Sequence, residues 1–391
     1  MSRIAELIAK LCPNGIEYVK LGDVCTITKG KTPIQKAIPG EYPLVVTTSE
    51  RKSCNTYQFD KSAVCIPLVS SRGHGVASLN HVYFQSGKFA LGNILCAVIP
   101  NDENVLSANF LFHYLEYKKD TLLVPLMKGG ANVSLHIYDI QRVKIPLPPL
   151  DVQLETIEIL DKFVELSEML TKELSIRKKQ YEYYRDLLLD FGVHGGATSE
   201  CKRRTIKLGD IGKISMCKRI MKSETSPDGD IPFYKIGTFG GEPNAYISKE
   251  TFEKYKSLYS FPKKGDILIS AAGTIGRTVV YDGEPAYYQD SNIVWIDNDE
   301  TIVLNRYLYY VYQLSPWQIS TGGTIARLYN DNIANAKINI PSIKEQERIV
   351  SILDRFDKLC NDISEGLPAE IEARRKQYVY YRDKLLSFNE A

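Results

Sequence analysis

The sequence has no cysteine pair at C-x-x-C spacing and no histidine pair at helical metal-ligand spacing. It also has no apolar run long enough to span a bilayer, and almost no net charge. Each absence removes a class. Eight scattered cysteines (Cys12, Cys25, Cys54, Cys65, Cys96, Cys201, Cys217, Cys360) argue against a zinc site or a disulfide framework and point to a reducing cytoplasm. Without a bilayer-length segment or a signal peptide, a soluble, intracellular protein with no membrane partner is expected. A formal charge of +2 means the whole molecule is no polycation. A DNA reader would therefore share electrostatic work with basic partners.

Catalytic signatures are also missing. Gly30-Lys31-Thr32 supplies the end of a P-loop, but Cys25 occupies the position of its first glycine. Gly273-Thr274-Ile275-Gly276 is too short for a dinucleotide fingerprint and reads as a tight turn between strands. Pro148-Pro149 lacks the flanking residues of an adenine methyltransferase motif, and no carboxylates cluster as a nuclease metal site requires. No catalytic residue, metal or cofactor is assigned.

What is present is a repeat. Arg177-Lys178-Lys179-Gln180-Tyr181 continues through Tyr183-Tyr184-Arg185-Asp186, and Arg374-Arg375-Lys376-Gln377-Tyr378 continues through Tyr380-Tyr381-Arg382-Asp383. Upstream, Gln153 and Ile159 to Phe163 answer Gln346 and Ile352 to Phe356 at an offset of 193. Lys20-Leu21-Gly22-Asp23 answers Lys207-Leu208-Gly209-Asp210 at an offset of 187. So long a period excludes a solenoid and implies a whole domain plus a helix, present twice.

At 391 residues, 44% hydrophobic and 25% charged, the chain has room for two globular cores. Residues 18 to 148 and 205 to 341 read as short strands with turn signals. Helices are expected over 107 to 119, with Phe110, Leu111, Tyr114 and Leu115 as its apolar stripe, and over Asn305 to Leu314. After each block a seam with 3,4 spacing begins. It runs from Leu160 through Phe163, Ser167, Leu170, Leu174, Arg177, Tyr181, Tyr184, Leu188 and Phe191. It recurs from Leu353 through Phe356, Cys360, Ile363, Leu367, Ile371, Arg374, Tyr378, Tyr381, Leu385 and Phe388. Such spacing marks coiled coil. A helix of about 40 residues would be about 60 Å long. Between the two seams the offset grows from 193 to 197, and Gly366 and Pro368 at that insertion predict a kink or short break. Gly192, Gly195 and Gly196 predict a turn after the first helix.

The fold expected is α/β, with two similar mixed domains separated by two long helices. The helices form an antiparallel coiled-coil spacer with an internal pseudo-two-fold repeat. The segments are 1–150, 151–192, 193–342 and 343–391. The helices are nearly identical even off the seam, while the globular blocks share only a skeleton. That contrast predicts one partner docked twice and two different ligands. Candidate docking residues are Lys179, Gln180, Tyr181, Tyr184, Arg185 and Asp186, with Lys376, Gln377, Tyr378, Tyr381, Arg382 and Asp383.

Two variable domains, each followed by a helix bearing Pro-Leu/Ile-x-x-Gln and ending in Arg-Lys-Gln-Tyr-x-Tyr-Tyr-Arg-Asp, resemble the specificity subunit of type I restriction-modification enzymes. Cys12-Pro13-Asn14-Gly15 and the Gly265 to Ser270 stretch share the resemblance, which covers almost the whole chain. It implies a non-catalytic subunit whose two domains each read one half of a bipartite, asymmetric site in double-stranded DNA. It also implies two adenine-N6 methyltransferase subunits on the spacer, and restriction/translocase subunits beyond them. The half-sites would lie about one helical turn apart, near 34 Å. Base readout requires polar side chains on loops. The candidates are Lys31, Thr32, Thr47, Thr48, Ser70, Ser71, Arg72, His74, Asn132 and Ser134 in the first domain. In the second they are Arg219, Lys235, Thr238, Thr274, Arg277, Thr324 and Arg327. The alternatives are a self-sufficient sequence-specific DNA-binding regulator and a protein-only scaffold.

Overall fold

A computed structural model describes residues 3–72, 74–189, 204–319 and 327–388. The chain divides into two compact units. One takes the chain up to Thr171 and again from Glu370 onward, and the other takes Lys172–Ala369. Phe191, Thr324 and the glycines at 73, 192, 195, 196, 322 and 323 lie outside the described residues.

In the first unit the helices are α1 (Arg3–Leu11), α2 (Leu21–Val24), α3 (Ala108–Leu122), α4 (Ile137–Gln141) and the opening of α5 (Leu150–Leu189). Its strands are β1 (Tyr18–Lys20), β2 (Cys25–Lys29), β3 (Tyr42–Val45), β4 (Lys52–Cys54), β5 (Phe59–Asp60), β6 (Ala63–Pro67), β7 (Tyr83–Gln85), β8 (Lys88–Leu91), β9 (Leu95–Pro100) and β10 (Lys144–Pro146). They form an antiparallel sheet β2-β9-β6-β7, a sheet β4-β3-β8-β5 with β3 and β8 parallel, and a ribbon β1-β10. That ribbon pairs Tyr18 with Pro146 and Lys20 with Lys144, closing the start of the domain onto its end.

The second unit repeats the plan. Its strands are β11 (Arg204–Lys207), β12 (Gly212–Ser215), β13 (Ile231–Tyr234), β14 (Tyr246–Ile247), β15 (Ile267–Ser270), β16 (Thr278–Val280), β17 (Tyr287–Tyr288), β18 (Ile293–Asn298) and β19 (Lys337–Ile340). The sheets are β12-β18-β15-β16, β14-β13-β17 with β13 and β17 parallel, and β11-β19. Its helices are α6 (Lys249–Leu258), α7 (Asn305–Gln313), α8 (Asn330–Ala334) and α9 (Ile343–Asn361); α10 (Leu367–Leu385) follows and crosses into the first unit.

Each central strand is a short apolar run with no solvated face: every residue of β6 and of β15 is buried. Such a run is stable only when covered on both sides. In the first unit α3 supplies one cover, burying Phe110, Leu111, Tyr114 and Leu115 with Val64, Ile66 and Val98. Each large apolar side chain so buried contributes about 2 kcal/mol. Helix α7 does the same in the second unit through Tyr307, Leu308 and Val311.

Each long helix is clamped at its start by one glutamine. Gln153 is fully buried. Its Oε1 accepts from the Ser107 amide at 2.9 Å, and its Nε2 donates to Val105 O at 2.9 Å and Pro148 O at 2.7 Å. Gln346, also fully buried, accepts from Leu304 N at 2.9 Å and donates to Ile302 O and Pro341 O, both at 3.0 Å. Each amide therefore joins three chain segments at the start of its helix. About two turns further, Asp161 accepts from Asn109 Nδ2 at 3.0 Å and lies 2.9 Å from His113 Nε2. The equivalent Asp354 takes Arg306 Nε at 2.6 Å and the Tyr310 hydroxyl at 2.5 Å.

The seams pack inside each unit. Phe163 stacks on Tyr381 at 5.3 Å in the first, and Tyr184 on Phe356 at 5.6 Å in the second. The first unit joins the opening of α5 to the last helix, and the second joins its closing half to α9. That chain order is the order of an antiparallel pair. A break occurs where Gly366 and Pro368 predict one, between Asn361 and Leu367. Asp362 Oδ1 accepts from Ser364 N at 2.7 Å and Glu365 N at 3.1 Å. A Cβ on Gly366 would lie 2.5 Å from Lys358 O. One seam assignment is corrected by this turn: Ile363 sits in it and is 86% exposed, because the helix that would have turned it inward has ended.

Replacing Gln153 or Gln346 with Ala leaves a buried proline carbonyl, a part-buried carbonyl and a part-buried amide without their partner and is expected to cost about 3 kcal/mol, read by urea denaturation; a cost under about 1 kcal/mol would mean the clamp is dispensable. Burial lowers the His113 pKa against the opposing pull of Asp161. The unfolded chain therefore takes up that proton first. Stability of the first unit is present at neutral pH and is lost as pH falls below the ordinary histidine value of 6.5. His113→Gln is expected to flatten that part of a melting-temperature profile; an unchanged profile would assign it elsewhere.

Candidate nucleic-acid interface and helix docking surface

Most of the loop residues selected from sequence gather in two clusters, one per unit; Thr324 lies outside the described residues, and Arg219 lies on the segment after β12. In the first unit the hairpin loop after β6 and the loop before α4 meet. Ser70 N donates to Val133 O at 3.0 Å, Leu135 N to Leu68 O at 2.9 Å, and a Cβ on Gly75 would lie 2.9 Å from Gly130 O. These contacts bring Ser70, Ser71, Arg72 and His74 beside Asn132 and Ser134. Ser134 itself pairs with Lys128 through two backbone hydrogen bonds of 2.8 Å. Lys31 and Thr32 join through the turn after β8: Thr32 N donates to Leu91 O, Gly92 N to Val45 O, and Leu68 N to Ile94 O. Thr47 follows β3, where its carbonyl accepts from the Tyr83 hydroxyl at 2.6 Å.

Not every hydroxyl in this cluster is free to read a base. Ser70 Oγ donates to Val76 O at 2.5 Å and accepts from Arg72 N, while Ser71 Oγ accepts from Asn80 N at 3.0 Å. They hold the loop in shape, whereas Arg72, His74 and Asn132 are exposed. His74 has φ of 61°, a costly conformation for a non-glycine residue that loop packing must enforce. Lys31, Thr47 and Thr48 are exposed too, and Thr48 Oγ1 turns back to Glu50 O.

The second unit builds the same arrangement from different residues. Ser270 Oγ donates to Thr274 O and accepts from Arg277 N at 2.9 Å, bracing the turn between β15 and β16. Gly273 and Gly276 supply the positive φ values, 66° and 81°, that this tight turn requires. Arg277 reaches back to Phe239 O at 2.8 Å, and Arg327 to Ser291 O at 2.9 Å. Gln289 Oε1 accepts from Ile236 N at 2.8 Å, so the loop at Lys235 and Thr238 belongs to the cluster; Thr238 Oγ1 caps Lys235 N at 3.1 Å. Ser291 matches His74 in having a positive φ, 53°. Thr274 and Arg219 are exposed.

The docking candidates divide differently. Glu173–Arg177–Gln180 is a polar chain along α5, with Arg177 2.7 Å from Glu173 and 2.9 Å from Gln180. Glu370–Arg374–Gln377 repeats it along α10 at 2.8 and 2.9 Å. Arg185 binds Asp186, and Arg382 binds Asp383, both at 2.7 Å. Part of the off-seam identity is therefore intrahelical. Tyr181 belongs to its own unit: it is 7% exposed and its hydroxyl donates to Gln313 Oε1 at 2.9 Å. Tyr378 packs on the first unit's core, and Arg382 lies 4.8 Å over the ring of Tyr117. Lys179 and Tyr183, with Lys376 and Tyr380, face outward, while Tyr184 and Tyr381 stack across the seam and expose one edge. Sequence reading passed over Tyr183 and Tyr380, although both lie in the repeated motif; they are 64% and 60% exposed. In the sequence Gln153 and Gln346 stand only as repeat marks; the prolines four to five residues before them are the signal of the clamp.

Tyr181→Ala is expected to cost about 3 kcal/mol by opening a cavity, whereas Tyr183→Ala should shift stability by less than about 0.5 kcal/mol. Thermal melts of the two variants distinguish them; equal losses would place Tyr183 in the core.

Comparison with known proteins adds to this geometry. A family model described as the type I restriction modification DNA specificity domain matches twice, over residues 13–176 and 202–373. A Haemophilus influenzae protein assigned as a type I restriction enzyme specificity subunit is 45% identical over 385 residues, covering 96% of each chain. A type I restriction enzyme specificity subunit of Escherichia coli is 33% identical over 297 residues, covering 71% of each. The crystal structure of a type I restriction-modification S subunit from M. genitalium shares the fold, with a TM-score of 0.57 at 16% identity, over 95% of this chain and 96% of that one. With the family model matched twice and both long relatives named for the same role, the chain belongs to the family of type I restriction-modification DNA specificity subunits.

Proposed function

We infer that this chain selects the DNA sequence acted on by a type I restriction-modification complex. Residues 1–150 and 193–342 are the two recognition domains, and residues 151–192 and 343–391 are the spacer helices between them. The observation that carries this reading is the contrast between frame and loops. Both domains have a four-stranded antiparallel sheet, a second sheet containing one parallel pair, a closing two-stranded ribbon and the same buried glutamine, yet their loop clusters carry different side chains. Equal frames with unequal reading surfaces suit an asymmetric, two-part target. Arg72, His74 and Asn132, with Lys31 and Thr47, are the side chains best placed for the first half-site. Thr274 and Lys235 take that role for the second, while Arg277 and Arg327 hold its loops.

Two methyltransferase subunits dock on the repeated exposed residues Lys179, Tyr183, Tyr184 and Lys376, Tyr380, Tyr381. The restriction and translocation subunits join through them. Flipping and methylation of the target adenine then belong to the partner, and this chain contributes position and selectivity. The site of action is the cytoplasm; among the described residues no helix is long and apolar enough to cross a membrane. A self-sufficient regulator draws no support from the relatives above, which are named for restriction enzymes.

N6-methyladenine is mapped in cells expressing the chain with its neighbouring methyltransferase, and in cells lacking only the chain. A two-part motif with an unread gap, present only with the chain, is expected. Its absence while the methyltransferase is active would overturn the reading. Exchange of residues 22 to 145 for another such domain should change one half of the motif; change in both halves would refute modular recognition.

A further inference from the structure

The second domain has a helix that the first lacks. Between β3 and β6 the first domain carries only the short strands β4 and β5, whereas α6 stands between β14 and β15 of the second. Phe252 anchors α6 at 2% exposure, and Tyr255 ties it to the segment after β12 by donating to Glu224 Oε1 at 2.7 Å.

Around that tie, cations rest on aromatic rings. Lys218 Nζ is 5.1 Å from the Tyr259 centroid, and Lys256 Nζ is 5.3 Å from those of both Phe252 and Phe261. Arg219 and Lys222 are exposed on the same segment. Of the nearby carboxylates, Glu224 is already used, accepting from Met221 N and from Tyr255, while Glu250 and Glu253 share α6 with Lys249, Lys254 and Lys256. A lysine held by a ring face keeps its charge for solvent or for an anion while its stem is ordered. The patch also borders the reading cluster. The Cys217 thiol meets the backbone of Tyr288, the strand residue that leads into Gln289 and the Ser291 carbonyl held by Arg327.

We propose that Lys218, Arg219, Lys222 and Lys256 grip the phosphate backbone of duplex DNA beside the half-site read by the second domain. The proposal rests on the reading of that domain as a DNA reader. Its partner is chosen by charge: four exposed cations, two of them backed by aromatic rings, beside the loop cluster fit a polyanion. The contacts carry no base preference, because phosphates are the same at every sequence. The grip is confined to the second domain, since α6 has no counterpart in the first.

The test uses the assembled methyltransferase complex bearing Lys218→Gln, Lys222→Gln and Lys256→Gln, with affinity for a target duplex measured across a salt series. Loss of each phosphate contact is expected to reduce the slope of log K against log salt by about 0.9, with the methylated motif unchanged. Lysine-to-arginine variants at the same positions should restore the slope, which separates charge from folding. An unchanged slope would overturn the proposal. So would an altered motif, which would make these residues base readers, or loss of a protein subunit at constant slope, which would make the patch a protein contact. Failure of the unaltered complex to prefer its target would instead overturn the DNA reading and this proposal with it.

Discussion

Everything else in this molecule hangs from a carboxamide buried where the long helix leaves the domain. Gln153 and Gln346 each satisfy an amide ahead of the covering helix, the carbonyl of the proline that ends the domain, and a second carbonyl nearby. A neutral group with one acceptor and two donors suits the task. A carboxylate could not donate and a lysine could not accept. Because all three partners are backbone groups, the clamp is indifferent to the side chains of the reading loops. The loops are thereby free to diverge while the helix keeps its exit direction.

About two turns along, the same logic is relaxed. The acid is kept, as Asp161 and Asp354, but its partners change from Asn109 and His113 to Arg306 and Tyr310. These partners belong to the covering helix of each domain, which has diverged with its core. An acid accepts from any of these donors, so position is maintained although chemistry is not. The first joint is sensitive to histidine protonation, and the second holds a permanent cation.

The sequence was most legible where pattern and periodicity carry the physics. The helices at Ala108 and Asn305 follow from apolar stripes, and the break near Gly366 follows from a glycine and a proline at a four-residue insertion. It was least legible where a residue's role depends on which neighbour arrives from far away in the chain. Tyr181 and Tyr183 look alike in the motif, yet Gln313 claims one and solvent the other. Ser70 and Arg72 look alike as loop polar residues, yet the serine is spent on Val76 and the arginine is exposed.

The sequence by itself determined the duplication, the alternation of domain and helix, the seam and its interruption, because each is written in local order and spacing. Only the tertiary structure decided which polar side chains are consumed in bracing loops and which remain outward, and that a glutamine clamps the start of each long helix to its domain. The reason is physical. Spacing fixes the face of a helix or strand on which a residue lies, but hydrogen bonds are claimed by whatever the fold brings within about 3 Å.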